Sequence, residues 1–160
     1  MASKKNKLIF IVEDNEMYSI MLDYTLSNDS TLKFMCFKTG EECLENLHFN
    51  PMMIILDYWL PGINGLETFK KVRQKNKSVP IIILTQDHDV EIATLLLNAG
   101  VNDYFNKGAN SVFEIKQLIN NEFSKLIEKE EIQSLRMKIV FFVFCIVAVA
   151  IVLIYAKRFW

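Results

Sequence analysis

Glu13, Asp14, Asp57, Thr85 and Lys107 are the residues of this chain whose types and order could do chemistry together. Three carboxylates brought close repel one another and raise their own pKa values unless a cation sits among them. A hard cation that keeps oxygen ligands and several waters, Mg²⁺, is the natural occupant. Asp57 would then be the nucleophile toward a phosphoryl group, giving an acyl phosphate. The cation and the Lys107 ammonium would neutralise the equatorial phosphoryl oxygens, where most of the catalysis of phosphoryl transfer resides. The Thr85 hydroxyl would donate a hydrogen bond to one of them.

Each residue alone has a plainer reading: a turn carboxylate for Asp57, a turn hydroxyl for Thr85, a surface cation for Lys107. The elements around them make them a set. Asp57 ends the apolar run Met52 to Leu56, and Pro61-Gly62 breaks the chain just after it. Glu13 and Asp14 end the run Lys7 to Val12. Thr85 follows Ile81 to Leu84, a β-branched stretch suited to a strand covered on both faces. Lys107 follows a short strand over Val101 to Phe105. A further strand, Thr31 to Phe37, carries no such residue.

Between the strands lie helical patterns. Glu16 to Ser27 has Met17, Ile20, Met21 and Tyr24 at helical spacing, with Asn15 as its N-cap. Thr39 caps Gly40 to Leu47, with Glu42 as a capping-box acid. Asn64 to Gln74 and Asp87 to Ala99 follow, the latter ending at Gly100 as a C′ glycine. Asn110 or Ser111 opens a helix running past Leu126. Asp87-His88-Asp89 reads as acids at a helix N-terminus, favoured there by the dipole, rather than as a metal site. Alternating strands and helices with short links predict an α/β fold: a parallel sheet with helices on both faces. Its ligands belong at the carboxyl ends of the strands, where all five residues fall.

Charge narrows the function. Up to residue 134 there are 14 Lys and Arg against 19 Asp and Glu; beyond it only Arg136, Lys138, Lys157 and Arg158 are charged. The acidic domain is a poor match for nucleic acid, whose phosphates would repel it. Cys36, Cys43 and Cys145 show no metal-ligand spacing and no disulfide framework.

Ile139 to Ala156 carries no charge and is flanked by cations at both ends, with Phe159 and Trp160 beyond. This predicts a transmembrane helix at 139–156, after a charged helical linker at 128–138 and before a short tail at 157–160. The cation bias predicts a single-pass protein of the cytoplasmic membrane whose domain, 1–127, faces the cytoplasm. Confinement to a membrane would favour a homodimer by raising local concentration.

The five chemical residues, with Leu60-Pro61-Gly62-Ile63-Asn64-Gly65, Tyr104 and Ala99-Gly100-Val101, resemble the receiver domains of two-component response regulators in order and spacing. The likeness covers about Lys7 to Leu126. It implies a doubly wound, flavodoxin-like sheet of strand order 2-1-3-4-5. It implies that Asp57 accepts phosphate from a sensor histidine kinase, a histidine phosphotransfer protein or a small donor, and that Glu13, Asp14, Asp57 and the Trp59 carbonyl bind Mg²⁺. Thr85 and Tyr104 would move together as a switch read by a downstream protein. No output domain is expected within this length. The alternatives are a receiver-fold scaffold with little phosphotransfer and a phosphate sink or relay intermediate. A haloacid-type hydrolase, which needs an acid two residues after its nucleophile, is excluded by Trp59. Two departures stand out: Gly108 occupies the place of the family's usual proline, and Gln86 that of a small residue. Trp59 and Asp87 would flank the phosphoryl group.

Overall fold

The computed structural model describes residues 7–27, 32–86, 90–101, 103–108 and 111–159. Five strands, β1 (Leu8–Val12), β2 (Lys33–Phe37), β3 (Met53–Asp57), β4 (Ile81–Thr85) and β5 (Asp103–Asn106), alternate with helices α1 (Glu16–Leu26), α2 (Gly40–Glu45), α3 (Gly65–Lys75), α4 (Val90–Asn98) and α5 (Ser111–Phe159). A turn of 3₁₀-helix, Leu47–Phe49, precedes β3. All strands pair in parallel in the order β2-β1-β3-β4-β5. The expected topology is therefore observed.

Alternation along the strands builds two cores. Phe10, Val12, Ile54, Leu56, Ile81 and Ile83 meet Cys43 of α2, Phe69 and Val72 of α3, and Leu96 of α4. Ile9, Ile11, Met53, Ile55, Ile82 and Leu84 meet Leu22 and Leu26 of α1 and Ile115 and Ile119 of α5. Each of these buried aliphatic side chains contributes about 1.5–3 kcal/mol relative to exposure. Because β1, β3 and β4 are buried on both faces, they read as continuous apolar runs.

The helix starts follow cap chemistry, with one redistribution. Asn15 accepts from Tyr18 N at 3.1 Å, and Thr39 from Glu42 N at 3.2 Å. The Glu42 carboxylate accepts from Lys38 N at 2.8 Å, one residue before the cap, so no reciprocal box closes there. The full box forms at α3 instead, where Asn64 accepts from Glu67 N and Glu67 from Asn64 N. Gly100, at φ +84°, ends α4 with Val101 N donating to Leu96 O at 3.0 Å, as its expected role requires.

Three sequence readings change. Strand β5 begins at Asp103 rather than Val101, because Val101 still closes the α4 turn. The apolar series on α1 is not its core face: Ser19, Leu22 and Leu26 are buried, while Met17, Ile20, Met21 and Tyr24 are exposed. The third concerns the membrane. Among the described residues no helix is long and apolar enough to cross one. This overturns the anchor expected at 139–156 and the single-pass location built on it, and removes the argument for a membrane-driven homodimer.

The chain divides into two compact units, Met1–Ile119 and Asn120–Trp160. The first holds the sheet. The second is helical through Phe159, with Ile139, Phe141, Phe142 and Phe144 exposed.

Candidate functional site at the carboxyl rim of the sheet

Strand register brings the acidic residues together. Val12 pairs with Leu56 across β1 and β3, so Glu13, one residue past its strand, falls beside Asp57 at the end of β3. Glu13 N continues the ladder by donating to Phe37 O at 2.9 Å. Carboxylate oxygens of Glu13, Asp14 and Asp57 all lie within 4.8 Å of one another. Glu13 and Asp57 are buried and Asp14 is exposed, so the cluster opens to solvent on the Asp14 side.

Lys107 reaches this cluster from the opposite edge. Its N donates to Thr85 O at 2.7 Å, which ties the residue to the end of β4. Its Nζ stands 2.6 Å from Glu13 Oε2 and 2.8 Å from Asp57 Oδ2, with all three side chains about 95% buried or more. Both contacts are charge-assisted and at hydrogen-bond distance, so the ammonium is held between the two buried carboxylates. The other Asp57 oxygen, Oδ1, accepts from Trp59 N at 3.2 Å, and Glu13 Oε1 accepts from Asn15 N at 3.3 Å.

The electrostatics follow from burial. Burial pushes the Asp57 and Glu13 carboxyl groups above their ordinary values, and Lys107 only partly offsets it. Burial would lower Lys107, but the Asp57 and Glu13 carboxylates outweigh it and raise the ammonium's pKa. One cation thus faces three acids. The donor set is all oxygen, two of its members are buried, and its charge is incompletely balanced. Those are the features that fit a hard divalent cation.

Thr85 is buried at the end of β4. Tyr104 pairs with Ile83 in register and packs, half-buried, against the core. Trp59 is 52% exposed in the loop after β3, Gln86 is exposed, and Gly108 is exposed beyond β5. Asp87, with the rest of Asp87-His88-Asp89, lies outside the described residues, as does Asn110. Every chemical residue expected from the sequence therefore falls on one rim. Tyr18 was not anticipated there. Its ring covers Lys107 Nζ at 4.7 Å from the ring centre, and its hydroxyl lies 3.5 Å from Ser111 Oγ. An aromatic one turn into the helix after Glu13-Asp14 was the available signal.

Comparison with known proteins agrees with this geometry. The response regulator ArlR of Staphylococcus haemolyticus (strain JCSC1435) is 36% identical over 110 residues, 69% of this chain and 48% of that protein. The alkaline phosphatase synthesis transcriptional regulatory protein PhoP of Bacillus subtilis (strain 168) is 34% identical over 103 residues, 64% of this chain and 42% of that protein. The chain thus spans less than half the length of these relatives. The receiver domain of Francisella response regulator 1452 shares the fold at a TM-score of 0.66 and 21% identity, over 74% of this chain and 98% of that one. Residues 9–133 match the family described as response regulator receiver domain. With its acidic cluster and lysine on the rim of a 2-1-3-4-5 sheet, the chain belongs to the receiver domains of two-component response regulators, signalling phosphoacceptors that work with histidine kinases or phosphotransfer proteins and bind Mg²⁺ at an acidic pocket.

Proposed function

We propose that Asp57 is the phosphoacceptor of this receiver and that Glu13, Asp14, Asp57 and the Trp59 carbonyl hold its Mg²⁺. The observation that carries this reading is the contact of Lys107 Nζ with Asp57 Oδ2 inside the buried acidic cluster. Asp57 attacks the phosphorus of a phosphohistidine donor. A P–O bond forms as the P–N bond breaks, and the electron pair leaves on the imidazole nitrogen, which takes a proton. Lys107 then pairs with a phosphoryl oxygen instead of the free carboxylate, and Thr85 donates its hydroxyl to another. The bound cation supplies the remaining neutralisation of charge. Thr85 and Tyr104 carry the change to the α4–β5 side, where a downstream protein reads it. The receiver occupies 1–127, and 128–138 is a charged helical linker.

Helix α1 supplies the donor's docking surface. Met17, Ile20, Met21 and Tyr24 are 78%, 59%, 39% and 82% exposed. Their spacing makes one stripe along a helix that starts beside the acidic cluster, the pattern by which an apolar helix or groove is engaged.

The test is intact mass after incubation with acetyl phosphate and Mg²⁺, beside Asp57→Asn. A phosphoryl adduct that needs both the metal and Asp57 is the expected result. A second reading, a scaffold with little phosphotransfer, draws on Gln86 next to Thr85 and on Gly108 next to Lys107. Absence of both adduct and Mg²⁺ binding would favour it.

A further inference from the structure

Lys107 opens the connection from β5 to α5, and its backbone N–H, donating to Thr85 O at 2.7 Å, ties it to the end of β4. Gly108, which follows it, imposes no restriction on φ, so the loop needs another fastening. One side chain provides it. Ser111 Oγ donates to Gly108 O at 2.7 Å, lies 3.4 Å from Gly108 N as its acceptor, and Ser111 N donates to the same carbonyl at 3.1 Å. The hydroxyl has one donor and two acceptor positions. The third partner is Tyr18 of α1, whose OH lies 3.5 Å from Ser111 Oγ and has room to donate to it. Ser111 is buried, so solvent does not compete for this hydroxyl.

Tyr18 acts a second time through its ring. The face lies over Lys107 Nζ at 4.7 Å, a cation–π contact that grows stronger when the ammonium is desolvated. Glu13 and Asp57 hold the same ammonium on its other sides. One residue of α1 therefore touches both the lysine and the latch that closes the lysine's loop.

We propose that Tyr18 and Ser111 are positioning residues for Lys107: the Tyr18 ring caps its ammonium, and the Tyr18–Ser111 contact supports the hydroxyl that fastens the chain at Gly108. Neither residue touches the reacting oxygen of Asp57. Their effect reaches the reaction through where Lys107 can stand.

The test uses the full chain carrying Tyr18→Phe, Tyr18→Leu or Ser111→Ala, each checked for an unchanged circular dichroism spectrum. The first readout does not depend on phosphorylation. A capped, ion-paired Lys107 gives a slowly exchanging Nζ ammonium resonance shifted by the Tyr18 ring, assigned by its loss in Lys107→Met. Tyr18→Leu abolishes the shift and speeds exchange, Tyr18→Phe keeps the shift but speeds exchange because the hydroxyl that reaches Ser111 is gone, and Ser111→Ala speeds exchange with the shift partly kept. The second readout rests on the phosphoacceptor reading. With acetyl phosphate and saturating Mg²⁺, Tyr18→Leu lowers the maximal phosphorylation rate about 10-fold, the scale on which small misplacements act, and leaves Mg²⁺ affinity unchanged. Tyr18→Phe, which keeps the ring but not the hydroxyl, recovers only part of that loss. An ammonium signal identical in the wild type and in Tyr18→Leu would overturn the proposal whatever the phosphorylation result. A wild type that shows the capped signal but no adduct would count against the phosphoacceptor reading alone.

Discussion

Gly65 lies so close to the main chain of Asp57 that a Cβ on it would stand 2.3 Å from the Asp57 carbonyl oxygen and 2.7 Å from Tyr58 Cα. Both neighbours are backbone, so no flexible side chain can yield. The approach is fixed further by Gly65 N donating to Tyr58 O at 2.8 Å. Gly65→Ala must push the 58–64 loop outward, at a cost of about 1–3 kcal/mol. The expected outcome is a melting temperature lower by several degrees, read by thermal denaturation without added metal. A melting curve equal to the wild type's would show that the loop has slack.

Asp57→Asn is expected to stabilise the metal-free fold at neutral pH. The folded-state carboxyl values of Asp57 and Glu13 are raised. Their ionisation therefore costs folding free energy above those raised values, and the cost vanishes below the ordinary unfolded values. Lys107, also raised, keeps its full contribution at neutral pH and loses it only as pH rises through its folded value. Replacing one acid relieves the repulsion, and the melting temperature rises. The gain shrinks as pH falls into the ordinary carboxylate range. Parallel melts in chelator at pH 7.5 and pH 4 measure both, and a gain that grows on acidification would contradict the electrostatic account.

Met17→Glu and Tyr24→Glu are expected to separate donor docking from chemistry. Both lie on the exposed stripe, and neither belongs to the acidic cluster. Phosphotransfer from a phosphohistidine protein should fall by about 10-fold or more, the scale of a lost interface anchor. Phosphorylation by acetyl phosphate should stay within twofold. Equal losses with both donors would mean that the stripe supports the fold or the site rather than a partner.

The thiols should divide by burial. Cys43 is buried in the core against α3, and burial pushes its thiol up to about 12. The thiolate is the reactive species, so Cys43 should resist a thiol reagent at pH 8 while exposed Cys36 reacts. Mass spectrometry with and without denaturant reads this directly. Labelling of Cys43 in the native protein would report local opening between α2 and the sheet.

The strand ends were legible because the chemistry and the apolar runs coincide. Asp57 closes Met53 to Leu56, Thr85 closes Ile81 to Leu84, and a parallel sheet must put both ends on one rim. Helix faces were harder. On α1, Met17, Ile20, Met21 and Tyr24 have core-like composition and spacing, yet the core takes Leu22, Leu26 and the small Ser19. A stripe kept apolar for a partner has the same pattern as one kept apolar for the interior. The cap at α3 was missed because Asn64 sits in the turn motif that drew attention to Asp57 instead, with Glu67 just beyond it. Tyr18 escaped because its role depends on β5 and α5 folding back across α1. The apolar composition of 139–156 was readable, but a membrane location did not follow from it among the described residues.

The rim is assembled from the ends of β1, β3, β4 and β5, and the Glu13-Asp14 pair, Asp57 and Lys107 on it are separated by tens of residues in sequence. No local segment of the chain carries the cluster, so an unfolded molecule has no comparable affinity for a divalent cation. Metal binding is then coupled to folding by mass action. Each tenfold rise in free Mg²⁺ above its dissociation constant adds about 1.4 kcal/mol to the stability of the sheet. The denaturation midpoint of the protein becomes a titration of its own site, measurable before any phosphodonor or partner is known.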